Sequence, residues 1–352
     1  MRICLFRAFP DPFRKSMEIY ASQLLRHVRP LLPDTEMIMD YLPPNVRLQP
    51  GWARLWDQYI RYQRLCKAPL ADVNHVVDYG FGHLLYSLQP EKSVVTFHDA
   101  IVFKLPDVSR RTRFAVRYSL RAVRRAARVI TDSENSKRDF LELVDYPADR
   151  VRVVHLGIDP AFRPLTDTDA IRKRYKLPDH FILHVGHTLP YMNIEGTLRA
   201  LEHLDVPLVK IGGDFSSEQN TLIDQLRLRS RIQHLGRISL ADLPAVYNSA
   251  SALLYIPLYA GFGLPPLEAM ACGTPVICSN RGSLPEIVGD AAIVVNPDDA
   301  KSAADAVSKL IADTKLRESY RERGLLNTQR FSWEKTARET LAIYREVARA
   351  TA

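Results

Sequence analysis

The chain has 352 residues, of which 46% are hydrophobic and 25% charged, with a formal net charge of +8 and a pI near 9.3. That length exceeds a comfortable single core and predicts two domains of ordinary globular composition. No apolar run approaches the roughly 20 residues of a bilayer-spanning helix, and the opening MRICLFRAFPDPF is too short in apolar residues for a secretory leader.

Four scattered cysteines, Cys4, Cys66, Cys272 and Cys278, lack metal-ligand spacing and read as reduced, buried thiols. These features predict a cytoplasmic protein, and its basic charge favours anionic partners. RICLFRAF reads as a first parallel strand and Ser16 to Val28 as a helix. Between them lies a candidate phosphate or acceptor loop, Phe13, Arg14, Lys15 and Ser16. The aromatic stretch Trp52 to Tyr62 reads as an exposed or acceptor-facing helix. NHVVDYG and SVVTFHDA read as strands that end in polar residues. Ligands of open parallel sheets gather at strand carboxyl ends, which points to Asp78, His98 and Asp99.

Residues 108–130 read as one amphipathic helix. Val116, Leu120, Val123, Ala127 and Ile130 follow helical spacing on one face, and Arg110, Arg113, Arg117, Arg121, Arg124 and Arg128 on another. Such a stripe is either an ordinary solvated face or a dock for an anionic membrane surface or a phosphorylated acceptor. No recognised nucleic-acid module accompanies it, so nucleic acid is not the predicted partner.

Pro160 to Asp169, with two prolines and alternating Thr and Asp, reads as an interdomain linker. Beyond it FILHVGH, PLVKIGGD, IQHLGRI, SALLYIPL, TPVICSN and AAIVVNP read as strands alternating with helices, and FSWEKTARETLAIYREVARA as a last helix. This alternation predicts an α/β fold of two doubly wound parallel sheets with a cleft between them. The stretch YIPLYAGFGLPPLEAMA, Tyr255 to Ala271, combines a strand end, a glycine turn and a helix opened by two prolines. Backbone amides and the positive end of a helix dipole converge there, which suits an anion such as phosphate.

Those residues carry a family resemblance. GFGLPPLEAMACGTPVICSN, GSLPEIVGDAAIVV and FSWEKTARETLAIYREV resemble segments of the family 4 retaining glycosyltransferases of the GT-B fold, as do VVTFHDA, VITDSENSKRDFLE and VHLGIDPAFRP. The resemblance covers nearly the whole chain. It implies two Rossmann-like domains, residues 1–163 on the acceptor side and 164–330 binding the donor, with 331–352 as a helix packing back on the first. It also implies transfer of a hexose from a nucleotide-diphosphate sugar of the GDP-mannose or UDP-glucose type to a glycan or lipid-linked acceptor. Retention of configuration, no metal and no cofactor beyond the donor would follow, at a cytoplasmic location or peripherally at the inner face of the membrane.

Carried over residue by residue, the resemblance makes Glu268 a clamp for the ribose hydroxyls, a carboxylate accepting charge-assisted bonds. The turn at Gly261, with the amides of Phe262, Gly263 and Leu264, would hold the diphosphate. Gly186, His187, Gly212 and Ile238 would line the rest of the donor site. His98, as a neutral imidazole beside Asp99, would reach the donor sugar, and hinge closure would bring it toward Glu268. Three places depart from the family. Ala260 stands where a sugar-binding Glu is expected, His187 and Met192 where an Arg and a Lys are expected, and Lys15–Ser16 where a glycine pair is expected. They open a second reading, a GT-B protein that binds a nucleotide, a glycan or a partner enzyme with impaired turnover.

Overall fold

The computed structural model describes residues 1–9, 15–41, 56–66, 71–105 and 108–351. The candidate loop residues Phe13 and Arg14, and Trp52 of the aromatic stretch, lie outside them. Among the described residues, twelve strands form two six-stranded sheets, each entirely parallel. The first contains β1 (Arg2–Phe6), β2 (Met37–Tyr41), β3 (Val73–Val76), β4 (Ser93–Phe97), β5 (Arg128–Thr131) and β6 (Val151–Val153), in the order β2-β1-β3-β4-β5-β6. The second contains β7 (Ile182–Gly186), β8 (Leu208–Gly212), β9 (Ile232–Gly236), β10 (Ala252–Tyr255), β11 (Val276–Ser279) and β12 (Ile293–Val295), in the order β12-β11-β10-β7-β8-β9. Helices cover both faces of such sheets, so the central strands are apolar almost without a break. Ile3, Cys4, Leu5 and Phe6 of β1, and Val94, Val95 and Phe97 of β4, are wholly buried.

The chain divides into two compact units, Met1–Gly157 with Phe331–Ala352, and Ile158–Arg330. The division falls after Gly157 rather than after residue 163, because Pro160 to Asp169 is fastened to the second unit instead of running free. Leu165 donates its N–H to Oδ1 of Asn248 at 2.8 Å, and the Asn248 amide donates to the Arg163 carbonyl at 2.9 Å.

In the first unit the last helix, Trp333–Ala350, lies against the helix Lys15–Val28. A buried polar chain ties both to the sheet. His75 bonds the Tyr344 hydroxyl at 2.6 Å through Nδ1 and Thr96 at 2.7 Å through Nε2, and Thr96 meets the Tyr20 hydroxyl at 3.1 Å. Burial, helped by the nearby His98, lowers the His75 pKa to about 3, so the ring is neutral. A neutral imidazole has one donor and one acceptor nitrogen, which suits two hydroxyl partners that can each play either role.

The amphipathic segment 108–130 is not a single helix. The helix is Arg110–Val123, Ser109 caps it by accepting from the Thr112 N–H, and β5 follows. Val129, Ile130 and Thr131 are buried between β4 and β6, where β-branched side chains fit the pleated surface better than a helix. Ala127, Arg128 and Ile130 therefore leave the helical stripe.

Candidate functional site

In the second sheet the chain starts at β7, builds outward through β8 and β9, then returns to the other side of β7 for β10. The carboxyl ends of β7 and β10 are thus the switch point, where an open parallel sheet leaves a crevice for ligands. β7 ends at Gly186, and β10 leads into the turn through Ala260, Gly261, Phe262 and Gly263.

That turn is held from below by the segment after β11. Ser283 donates its hydroxyl to the Phe262 carbonyl at 2.7 Å and to the Ala260 carbonyl at 3.1 Å, and its N–H also reaches Ala260 at 3.0 Å. A trans peptide points its N–H opposite to its C=O. With both carbonyls drawn toward Ser283, the N–H groups of Gly261 and Gly263 face the other way. Gly263 has φ +104° and precedes the helix Leu264–Ala271, and a Cβ there would lie 2.5 Å from Leu284 Cδ2. Pro265 and Pro266 occupy the helix's first turn, so two of its four orphan donors do not exist. The amides of Gly263 and Leu264 open the helix at the mouth of this turn, and Phe262 between the two glycines is buried.

Glu268 is half-buried one turn further on. Tyr247, fully buried on the helix Leu243–Ser249, donates its hydroxyl to Glu268 Oε2 at 2.8 Å. Burial pushes the Glu268 carboxyl up to about 7, the Tyr247 bond opposes this, and Asp159 adds to the rise. The carboxyl is therefore oriented and close to half ionised near neutrality. Ala260 is buried, and its carbonyl is taken up by Ser283.

At the neighbouring strand ends Gly186 and Gly212 are register partners, and Gly213 donates its N–H to the Gly186 carbonyl at 3.2 Å. Gly212 has φ +116°, and a Cβ on it would sit 2.1 Å from the Gly186 oxygen, so no side chain fits. Met192 is buried with its methyl against Gly186, so the position expected for a lysine carries a thioether packed under the turn. His187 is half-buried, and burial, then Arg237 and Lys210, lower its pKa. A neutral imidazole therefore stands where an arginine is expected. Ile238 is half-buried two residues beyond β9.

In the first unit His98 differs from the neutral imidazole expected of it. It is 4% exposed, with Nδ1 at 2.6 Å from Asp132 Oδ2 and Nε2 at 2.8 Å from the Val77 carbonyl. Both partners are acceptors, so both nitrogens must carry protons and the ring is an imidazolium. Burial alone would lower its pKa, and the charge and hydrogen bond of Asp132, with Asp78 and the Val77 carbonyl behind them, reverse that and raise it. A sugar contact from this ring requires one of the two bonds to break. Asp99 accepts from the Ile101 N–H at 3.0 Å, an Asx turn that starts the short helix Ile101–Lys104. Lys15 and Ser16 open the helix Lys15–Val28 rather than forming a loop, since a glycine pair that would hold the chain out of the helix is missing.

The arginine stripe is also broken up. Arg113 donates to the Leu105 carbonyl, Arg124 pairs with Asp145 at 3.1 Å, and Arg128, on β5, pairs with Glu346 at 2.5 Å. Arg110, Arg117 and Arg121 remain on the exposed face, beside Phe114 at 75% and Tyr118 at 42% exposure. No helix among the described residues is long and apolar enough to cross a membrane.

Tyr247, Ser283, Lys210 and Arg237 are contributors that the sequence reading passes over. Ser283 lies inside the quoted GSLPEIVGD segment, but nothing local says that its hydroxyl grips a turn more than twenty residues away.

The description Glycosyltransferase Family 4 matches residues 25–162, and Glycosyl transferases group 1 matches residues 167–326. O-antigen chain mannosyltransferase B of Escherichia coli is 33% identical over 271 residues, which cover 72% of this chain and 70% of that protein. The serotype-specific mannosyltransferase WbdA of Escherichia coli is 30% identical over 227 residues, 60% of this chain but only 28% of that longer protein. Among solved structures, sucrose-phosphate synthase from Thermosynechococcus elongatus superposes with a TM-score of 0.82 at 21% identity, covering 99% of each chain. HepE from Anabaena, in complex with UDP and glucose, superposes with a TM-score of 0.80 at 17% identity, covering 98% of this chain and all of that one.

Proposed function

This chain belongs to glycosyltransferase family 4 and has the GT-B fold, and from that premise we propose that it transfers mannose from a nucleotide-diphosphate mannose to a growing glycan or a lipid-linked acceptor. The observation that carries this reading is the cradle at the β7–β10 switch point. There the outward amide of Gly263, with that of Leu264 at the helix start, suits a diphosphate, and Glu268, aimed by Tyr247, suits the two ribose hydroxyls. Gly186, His187, Gly212 and Ile238 then line the donor, and mannose is favoured as the sugar because the two Escherichia coli proteins similar in sequence are mannosyltransferases.

Retention without a metal is part of the same proposal. A departing diphosphate can accept the acceptor's proton on the face it leaves. His98 and Asp99 stay in this reading as the catalytic candidates of the first unit, with the His98 imidazolium offering positive charge rather than a free nitrogen. We place the protein in the cytoplasm, peripherally at the inner face of the membrane. The exposed patch of Arg110, Arg117 and Arg121 with Phe114 and Tyr118 suits an anionic lipid surface. Co-sedimentation that is the same with anionic and neutral vesicles would remove that last element.

Ala260 and Met192 favour the second reading, a GT-B protein with impaired turnover, because neither supplies the charge expected at its position. The deciding experiment screens GDP-mannose, UDP-glucose and ADP-glucose for thermal stabilisation and nucleotide release, with the parent chain and with the Met192→Lys, Ala260→Glu double variant. Stabilisation and turnover of GDP-mannose by the parent is the expected result. Turnover by the double variant alone establishes impairment, and no binding by either protein defeats the transferase reading.

A further inference from the structure

The second sheet carries a row of basic side chains that the cradle described above does not use. Register pairs His184 of β7 with Lys210 of β8, and Lys210 with His234 of β9, two residues before the Gly186–Gly212 pair. Register partners in a parallel sheet point to the same face, so the three side chains stand in line. His184 and Lys210 are completely buried, on the face that also carries Ile182 and Leu208. Nδ1 of His184 lies 3.3 Å from the Leu254 carbonyl, and its Nε2 is buried without a partner.

Lys210 is the centre of the row. Its ammonium donates to the Gly213 carbonyl and lies 5.2 Å from the centroid of the Phe215 ring. Among the described residues it has no carboxylate at ion-pair distance. Asp214, the carboxylate whose charge acts on it, is exposed and lies 3.8 Å from His234 Nδ1. A buried ammonium without a carboxylate is costly, because water is lost and no opposite charge replaces it. Its position gives the cost a use. With the Gly213 carbonyl drawn inward to Lys210, the following N–H, that of Asp214, is turned toward the strand ends. The field of Lys210 also reaches His187, which it and Arg237 hold neutral after burial has lowered its pKa.

We infer that Lys210, flanked by His184 and His234, is a positioning residue for an anionic diphosphate seated at the ends of β7 and β8. It offsets the negative charge from beneath and fixes the Gly213–Asp214 peptide with its N–H presented to the ligand. The inference rests on the reading of the second unit as a nucleotide-diphosphate site. It adds that the cation serving this site is built into the sheet.

The test compares calorimetric binding of GDP and of guanosine, and of UDP and uridine, to the full chain and to its Lys210→Met and Lys210→Arg variants, alongside thermal unfolding without ligand. Lys210→Met is expected to keep or raise the ligand-free melting temperature, to weaken diphosphate binding by about tenfold or more, and to leave nucleoside binding unchanged. Lys210→Arg is expected to recover part of the loss. Equal diphosphate affinity in a folded Lys210→Met protein, or an equal loss for diphosphate and nucleoside, overturns the inference while leaving the site reading intact. Absence of diphosphate binding by the parent chain overturns both.

A pH series on the parent keeps the inference testable if Lys210→Met does not fold. His184 and His234 stand in register with Lys210, its charge acts on His187 as does that of Arg237, and Asp214 acts on it; burial holds the Lys210 pKa down to about 8, with Asp214 opposing. Diphosphate affinity should fall relative to nucleoside affinity as pH rises from 7.5 toward 9. Parallel profiles for the two ligands overturn the inference.

Discussion

The Tyr247 hydroxyl donates to Oε2 of Glu268 at 2.8 Å from a wholly buried position, so one carboxylate oxygen is fixed and the other is aimed. Thr274 anchors the same tyrosine by donating its hydroxyl to the Tyr247 carbonyl at 2.6 Å, and the Phe162 ring meets the tyrosine ring edge-on at 5.9 Å. Tyr247→Phe keeps this packing and removes only the hydroxyl. A hydrogen bond to a charged group contributes about 1.5–3 kcal/mol, so nucleotide affinity should fall roughly tenfold or more. Titration of GDP and UDP against the variant measures this, and unchanged affinity would show that Tyr247 does not aim the carboxylate.

Glu268 also makes nucleotide binding depend on pH. Burial raises its pKa from 4.5 to about 7, with Asp159 adding to the rise and Tyr247 opposing it. Between those values the folded, ligand-free protein holds a proton that the unfolded chain has released, so this group's contribution to stability declines as pH rises from 4.5 through 7. Ribose hydroxyls bond better to the ionised form, so binding should expel a proton, and affinity should climb from pH 6 to pH 7.5. Calorimetry in buffers of different ionisation enthalpy reads that proton directly. Glu268→Gln should abolish the release, and a buffer-independent binding heat in the parent at pH 6.5 would contradict the prediction.

The His98–Asp132 pair also has a raised protonation equilibrium, but here the protonated form is the charged one, and the consequence is structural. Its imidazolium is raised above the ordinary histidine value, the Asp132 charge and bond outweighing burial. The stability it contributes is fully present below the unfolded value of about 6.5 and is lost as pH rises through the higher folded value. Nitrogen-15 spectra of histidine-labelled protein at pH 7.5 should show both ring nitrogens of His98 protonated. Asp132→Asn leaves a buried charge without its partner and should cost about 3–5 kcal/mol in chemical denaturation. A neutral His98 at pH 7.5, or a loss well under 1 kcal/mol, would mean that the pair is not ionised.

Much of the architecture is legible in the sequence because its signals are local. β1, β4, β7 and β10 are short apolar runs, and Gly186, Gly212 and Gly263 mark the ends where backbones approach or φ turns positive. The cradle is legible for the same reason, since Gly261, Gly263, Leu264 and Glu268 lie within eight positions of one another. What the sequence hides is made by the order of strands. His184, Lys210 and His234 become neighbours only because β7, β8 and β9 are adjacent and in register. The charge of His98 depends on Asp132 and on a carbonyl at Val77, neither of which its own segment contains. The segment 108–130 misleads because Arg128 and Ile130 continue a helical spacing by coincidence, while pairing with β4 and β6 places them in a strand.

Gly263 provides the sharpest test of the cradle's backbone. With φ at +104° it lies where L side chains are rarely found, and a methyl there would stand 2.5 Å from Leu284 Cδ2. Gly263→Ala must either push Leu284 out of the core or rotate the turn, and rotation breaks the Ser283 bond to the Phe262 carbonyl that keeps the Gly263 N–H facing outward. Strain of this kind costs on the order of 1–3 kcal/mol, enough to lower the melting temperature by several degrees while leaving the protein folded. Nucleotide-diphosphate binding should suffer more than stability, because the helix start already lacks the two amides at Pro265 and Pro266 and has few to spare. Leu284→Ala on top of Gly263→Ala relieves the clash but not the φ constraint. It should therefore restore little binding. Full recovery in the double variant would show that the steric contact, and not the turn's backbone conformation, had been the requirement.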